Sequence, residues 1–242
     1  MNLPIFNFTK IESTNDFARS LISEHKIYKG VITADEQTKG RGRYGNQWSS
    51  PKGNLYFTIF FPILRSNLKK IQFLVQLQIR NILKKYRIKN LSLKWPNDLY
   101  INNKKVCGIL QESVVFRKFF LIIGIGINIQ SSPKIRKYPT TFLNKEAGRK
   151  INLKDLVDQL KMAFVNNIID KKYSFKNTLK EWNKYAFNKN KFINFKIKNK
   201  IYRGVFRGIN NNGALILEHN NRKDYFTPVS YTHLTLPTKR IV

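Results

Sequence analysis

The sequence predicts an α+β protein, with one larger unit of interleaved helices and strands followed by a small all-β unit. Three observations carry this expectation. A chain of 242 residues is long for one domain and short for two large ones, which suits a main domain with a small one appended. As far as Asn188, helical periodicities alternate with short β-branched runs. Beyond it, short apolar runs alternate with turns, the pattern of a small β-barrel of about five strands. The expected units are 1–188 and 189–230.

The elements follow in order. Thr9 to Lys26 reads as a helix, with Ser13 and Thr14 as N-cap candidates and Phe17, Leu21 and Ile22 on one face. Val31 to Ala34 is a short strand. Asp35 to Gly53 is a polar segment with four glycines and no apolar period, the kind of long loop that carries function or is disordered. Leu55 to Phe61 is strongly β-prone. Leu68 to Tyr86 has helical spacing through Ile71, Leu74, Val75, Ile79, Ile82 and Leu83. Leu91 to Trp95 is a strand stopped by Pro96. Leu99 to Ile101 and Lys105 to Val115 form a hairpin about Asn102-Asn103, and Phe119 to Ile129 is a buried strand. Leu153 to Ile169 and Phe175 to Phe187 are helical. The small unit contains strands at 192–197, 201–209, 214–218 and 225–226. Residues 231–242 lose the Asn/Ile/Lys bias of the rest and are set aside from the fold as a non-native tail.

Composition narrows the classes. Hydrophobic residues at 42% and aromatics at 13% suffice for a sizeable core. The net charge of +31, from 45 Lys+Arg against 14 Asp+Glu, attracts anions: nucleic acid, phosphorylated ligands, acidic proteins or membrane surfaces. An A+T-rich genome is a second source of the lysine excess, though not of the acid shortage. Cys107 is the one cysteine, so no intrachain disulfide forms and a reducing cytoplasm is expected. The longest apolar run, Phe119 to Ile129, is too short to cross a bilayer, and Met1 to Lys10 lacks signal-peptide features.

Three segments carry chemistry. Gly40-Arg41-Gly42-Arg43-Tyr44-Gly45, followed by Trp48, pairs a backbone able to approach a ligand with forked cationic donors suited to phosphate or carboxylate. Alone it also fits a disordered basic loop or an RNA-binding segment. Lys94-Trp95-Pro96-Asn97-Asp98 ends a strand, and Lys105 starts the next strand across the hairpin. Asp98 can accept a hydrogen bond or hold a metal, and Lys105 would bring positive charge close to it. An ordinary hairpin with solvated lysines is the alternative. Gly124-Ile125-Gly126-Ile127-Asn128 puts glycines inside a strand, where a ligand or backbone approaches closely, or where a strand simply packs. No zinc-ligand spacing, phosphate-binding Gly-x-x-x-x-Gly-Lys loop or nucleophile elbow is present, and no metal ligand is assigned. Cys107 reads as a core residue.

Taken in this order the motifs resemble the biotin protein ligase family, over about residues 10 to 230. The resemblance runs from Ser13-Thr14-Asn15 through Glu36-Gln37-Thr38, the glycine loop, Lys94 to Leu99, Lys105 to Leu110 and Gly124 to Asn128, to Gly213 to Glu218. It implies a mixed β-sheet catalytic domain flanked by helices, like that of class II aminoacyl-tRNA synthetases, with a small C-terminal SH3-like barrel. It also implies a two-step reaction. Biotin and ATP give biotinyl-5′-AMP and pyrophosphate, and a lysine of a biotin carboxyl carrier domain, from acetyl-CoA carboxylase or a related carboxylase, then takes the biotin.

By the same resemblance, Lys105 meets the biotin carboxyl and the activated phosphate, and Arg41 and Arg43 close over the adenylate. Ser13, Thr14, Gln37 and Gly108 contact biotin. Asn128 and Lys94 lie near the nucleotide, and Trp48 in the adenine region. Asn15, Gly40, Gly42 and Asn97 complete the binding set, Asp98 orients the acceptor lysine or takes its proton, and Mg2+ screens the leaving pyrophosphate. The glycine loop is expected to be mobile without ligand and ordered with it. The matching region begins within the first fifteen residues, so no DNA-binding domain, no sequence-specific DNA and no membrane are expected, while a second copy of the chain is a candidate partner. Thr227-Pro228-Val229-Ser230 departs from the family's usual glycine before the final Val/Ile-Ser. A lipoate or octanoyl ligase of the same fold and a basic nucleic-acid-binding protein remain as alternatives.

Overall fold

The computed structural model describes residues 3–169, 174–197, 200–227 and 233–235. The larger unit is a mixed sheet. Its strands are β1 (Ile5–Phe8), β2 (Gly30–Ala34), β3 (Leu55–Pro62), β4 (Leu91–Lys94), β5 (Asp98–Ile101), β6 (Lys104–Phe116) and β7 (Lys118–Ile127), and their spatial order is β1-β2-β3-β7-β6-β5-β4. β1 and β2 are parallel and the other neighbours on this path antiparallel. The helices are α1 (Thr14–Ser23), α2 (Leu68–Lys84), α3 (Leu143–Ala147), α4 (Leu153–Phe164) and α5 (Phe175–Lys184).

Alternation along the strands sends side chains to two cores. Leu55, Phe57, Ile59 and Phe61 of β3, with Leu121, Ile123, Ile125 and Ile127 of β7, pack toward α2, α4 and α5. Phe60, Phe120 and Ile122, on the opposite face, pack under Ala18, Leu21 and Ile22 of α1. α1 starts where expected for a local reason: Ser13 is extended (φ −157, ψ 127) and its Oγ accepts from Asp16 N at 3.3 Å.

The small unit is an antiparallel sheet, β11-β10-β9-β8, of β8 (Phe192–Ile197), β9 (Lys200–Ile209), β10 (Leu215–His219) and β11 (Arg222–Phe226). Its Phe206, Ile209, Leu215 and Leu217 join the same core as α2 and α5. Asn183 of α5 ties the two together, its Nδ2 donating to Ile209 O at 2.9 Å and its Oδ1 accepting from Ile209 N at 2.8 Å.

Several expectations shift. The first helix spans Thr14–Ser23 rather than Thr9 to Lys26, because Ile11 forms a bridge with Gln37 instead of a helical turn. α4 stops at Phe164 and continues as a π-helical turn, Val165–Ile169. β1 and α3 add to the expected elements. Among the described residues the small unit has four strands rather than about five, and 228–230 lie outside them. His233–Thr235, from the segment set aside as a tail, form β12 and pair in parallel with Ser113–Val115. Along β6, β5 covers only Lys104 to Gly108, which leaves the rest of that edge open for β12. The other residues of 231–242 lie outside those described.

Candidate active site

The face of the sheet that α1 covers is closed at one end and open at the other. At the open end the strands present glycine. A Cβ on Gly108 would come within 2.7 Å of the Trp48 ring, one on Gly126 would overlap the same indole, and one on Gly124 would overlap the Asn15 amide. The indole lies on this floor, and its Nε1 is buried with no hydrogen-bond partner among the described residues. Above the floor is a cavity of about 600 Å3.

One end of the cavity is neutral and polar, with Ser13, Thr14, Asn15 and Gln37 in its wall. A relay fixes them. Thr58 Oγ1 lies 2.8 Å from both Thr14 Oγ1 and Asn15 Oδ1. Thr14 N and Oγ1 donate to Gln37 Oε1 at 2.9 and 3.0 Å, and Gln37 Nε2 donates to Ser50 Oγ at 3.0 Å. Every rotamer at this end is therefore set by a neighbour, which preorganises it for a polar ligand.

The middle holds Lys105, Asp98 and Asn97. The Asn102-Asn103 turn has positive φ at both residues (47 and 64), as a tight hairpin requires. That turn folds Lys105 back onto the start of β5, where its ammonium pairs with Asp98 Oδ1 at 2.8 Å. The Lys105 side chain is 13% exposed, and its Nζ lies 5.3 Å from the ring centres of both Trp48 and Tyr138. Burial pushes its pKa down, but Asp98, with Tyr138 and Tyr100, outweighs burial and holds it above the ordinary lysine value. Lys105 is thus a fully charged ammonium in a largely dry place. Asn97 is locked by Nδ2 donating to Ile109 O at 2.7 Å, and its Oδ1 accepts from Arg43 Nη1 at 3.2 Å.

The glycine loop forms the roof. Its base is closed by Trp48 N donating to Gly40 O at 2.9 Å and Gly42 N donating to Asn46 O at 2.6 Å. Its tip projects: Tyr44 is 76% exposed with φ 56, and Gly45 has φ 73. Arg43 stacks its guanidinium on Tyr44, whereas Arg41 reaches down to Asp16 and Glu112.

Most of the residues singled out by sequence meet here. Ser13, Thr14, Asn15, Gln37, Arg41, Gly42, Arg43, Trp48, Asn97, Asp98, Lys105 and Gly108 line the cavity. Three stand aside. Gly40 closes the base of the loop. Lys94 lines a second cavity, of about 560 Å3, between the two sheets, and donates to Tyr100 OH at 3.0 Å. Burial lowers the Lys94 pKa, and Lys105 adds to the fall while Asp98 opposes it. Asn128 is buried behind Trp48 and Lys105, with Nδ2 donating to Thr141 O at 3.0 Å. Sequence reasoning misses Arg136, Lys137 and Tyr138, which also line the cavity and sit in what reads as a plain basic loop. Asn54 places that loop by accepting from the backbone N–H groups of Ile129, Gln130 and Ser131.

Known proteins bear on this geometry. The model of the biotin/lipoate A/B protein ligase family matches residues 7–129. The bifunctional ligase/repressor BirA of Bacillus subtilis is 29% identical over 224 residues, which cover 87% of this chain and 68% of that protein. The biotin--[acetyl-CoA-carboxylase] ligase of Paracoccus denitrificans is 29% identical over 202 residues, 77% of this chain and 82% of that one. The biotin protein ligase from Aquifex aeolicus, solved in complex with biotin and ATP, superposes with a TM-score of 0.80 at 26% identity, covering 92% of this chain and 95% of that one.

Proposed function

We propose that this chain, which belongs to the biotin/lipoate A/B protein ligase family, is a biotin protein ligase. It activates biotin with ATP to biotinyl-5′-AMP and attaches the biotin to a lysine of a biotin carboxyl carrier domain, that of acetyl-CoA carboxylase or a related carboxylase. One observation carries the reading: a buried, charged Lys105 stands between a preorganised neutral polar pocket and a cationic roof. Among the described residues lining the cavity, Asp98 is the one carboxylate, against Arg43, Lys105, Arg136 and Lys137, while Arg41 is paired with Asp16 and Glu112.

That balance suits the first step. A carboxylate oxygen attacks the α-phosphorus, the bond to the bridging oxygen of pyrophosphate breaks, and pyrophosphate leaves with the electron pair. Two unit anions about 4 Å apart repel by about 4 kcal/mol at an effective dielectric of about 20. An ammonium held beside both cancels a term of that size, without the reorganisation that water would need. Ser13, Thr14, Asn15, Gln37 and Gly108 are proposed to hold the ring system of biotin. Trp48 meets the adenine, with Lys94 on the nucleotide side and Asn128 acting there by holding the segment at Thr141. Arg43, with Gly42 and the rest of the loop tip, closes over the adenylate and keeps water from the anhydride.

In the second step the acceptor amine attacks the acyl carbon, the bond to AMP breaks, and the nitrogen loses a proton. Asp98, positioned beside Asn97 at the start of β5, orients that amine or takes its proton. Mg2+ is proposed to enter on the triphosphate as part of the substrate, where it screens the leaving pyrophosphate. The division into a catalytic unit, 1–188, and a small β unit, 189–230, belongs to this proposal, as does a cytoplasmic location. No helix of the described residues is long and apolar enough to cross a membrane.

The test is ATP–pyrophosphate exchange with biotin, lipoate or octanoate as the acid. Exchange with biotin alone supports the reading. Exchange with lipoate or octanoate alone transfers the proposal to the other branch of the family, and exchange with none removes it.

A further inference from the structure

Arg41 lines the cavity, yet its hydrogen bonds point away from it. Its Nε and Nη2 donate to Asp16 Oδ2 and Oδ1 at 3.2 and 2.7 Å, and its Nη1 and Nη2 donate to Glu112 Oε1 and Oε2, both at 3.1 Å. Four contacts engage a group with five N–H donors. Glu112 is 1% exposed, on β6, and also accepts from Arg19 Nη2 at 3.2 Å and Asn15 Nδ2 at 2.8 Å. Asp16 closes the ring by accepting from Arg19 Nη1 at 2.6 Å. Two guanidiniums meet two carboxylates, so the cluster is neutral. A phosphate approaching Arg41 would meet the charges of Asp16 and Glu112 behind it and would have to break a bidentate pair.

We propose that Arg41 is a positioning residue rather than a phosphate ligand: Glu112 and Asp16 clamp it so that the base of the glycine loop stays fixed to β6 and α1 while only the tip, 42–46, moves. The assignment replaces the role that the family resemblance gives Arg41, closing over the adenylate, and its kinetic arm rests on the ligase reading. The two arginines of the loop then divide the work. Arg41 fixes where the loop starts, and Arg43, one hinge glycine further on, travels with the tip. The clamp also reaches the polar pocket, because Asn15 is bonded to both Glu112 and Thr58. Loop position and pocket geometry are thereby set from the same buried carboxylate.

Trypsin separates the two positions, since it cuts after Arg41 and after Arg43 and mass spectrometry resolves the products. In the ligand-free protein we expect cleavage after Arg43 and resistance after Arg41. Glu112→Gln should speed cleavage after Arg41 by about tenfold, and Asp16→Asn, a half-exposed change that spares the core, should do so by less. Unchanged cleavage after Arg41 in both variants would overturn the clamp. In biotin-dependent exchange, Arg41→Met and Glu112→Gln should each lower kcat/KM for ATP by about tenfold, and the double variant by no more than the larger single loss. Multiplying losses, to about a hundredfold, would mean that Arg41 contacts phosphate independently and would overturn the proposal. If the wild type shows no exchange, the ligase reading falls, while the tryptic pattern still decides the clamp.

Discussion

β3, β6 and β7 present two halves of one sheet face. In the closed half, Phe60, Phe120, Ile122 and Val114 fill the space beneath Ala18, Leu21 and Ile22 of α1. In the open half β6 and β7 present Gly108, Gly124 and Gly126, and the cavity opens above them. The backbone is continuous through both. What differs is side-chain volume, so the site is built by removing atoms from a surface that would otherwise pack, and by laying one indole across the gap. The closed half should therefore govern stability and the open half chemistry.

Filling the open half should have the largest effect. In Gly126→Val even the first added carbon overlaps Trp48, so the indole must leave the floor. Biotin-dependent exchange should fall by about a hundredfold, while overpacking at a cavity edge costs only about 1–3 kcal/mol of stability. Ile122→Ala, in the closed half, should show the reverse: a loss of about 2–5 kcal/mol in urea unfolding, with kcat/KM within about twofold of wild type. If both variants lose activity and stability in proportion, the halves are not separable.

A smaller effect concerns charge. Burial lowers the Lys105 pKa, but Asp98, together with Tyr138 and Tyr100, holds it above the ordinary value of 10.5. In Asp98→Asn burial prevails, so the alkaline limb of the exchange rate should move down in pH. By linkage, a raised folded pKa contributes stability that is complete below the unfolded value and is lost as pH rises through the folded one. The stability gap between wild type and Asp98→Asn should therefore narrow above pH 10.5. An alkaline limb that does not move would show that Lys105 is not the titrating group. The smallest expected effect is at the seam between the halves. Ser13→Ala removes the cap of α1 and should cost about 1 kcal/mol in thermal unfolding. No loss would mean that the 3.3 Å bond to Asp16 N contributes nothing.

Features set by local chemistry are legible in the amino-acid sequence. Pro96 stops one strand and Asn102-Asn103 turns the next, so the approach of Lys105 to Asp98 can be read from spacing. The expected helix at Leu68 to Tyr86 corresponds to α2, because its apolar spacing extends over more than four turns. What escapes is non-local or short. β1 is four residues whose parallel pairing with β2 is fixed only by the fold. The Arg41–Glu112 contact joins residues 71 apart in sequence and Asn15–Glu112 residues 97 apart, so nothing local to any of them announces the clamp. Tyr138 faces the cavity because Asn54 folds the loop there, a constraint invisible in the run from Ser131 to Thr140.

We propose above all that a charged Lys105 at the open half makes activation possible. The most direct test is biotin-dependent ATP–pyrophosphate exchange by Lys105→Ala beside the wild type, with circular dichroism and thermal unfolding confirming the fold of both. Losing a charge term of about 4 kcal/mol predicts a fall in exchange of about a thousandfold, with the fold intact. Exchange within about threefold of wild type in a folded Lys105→Ala protein would show that activation does not depend on this ammonium.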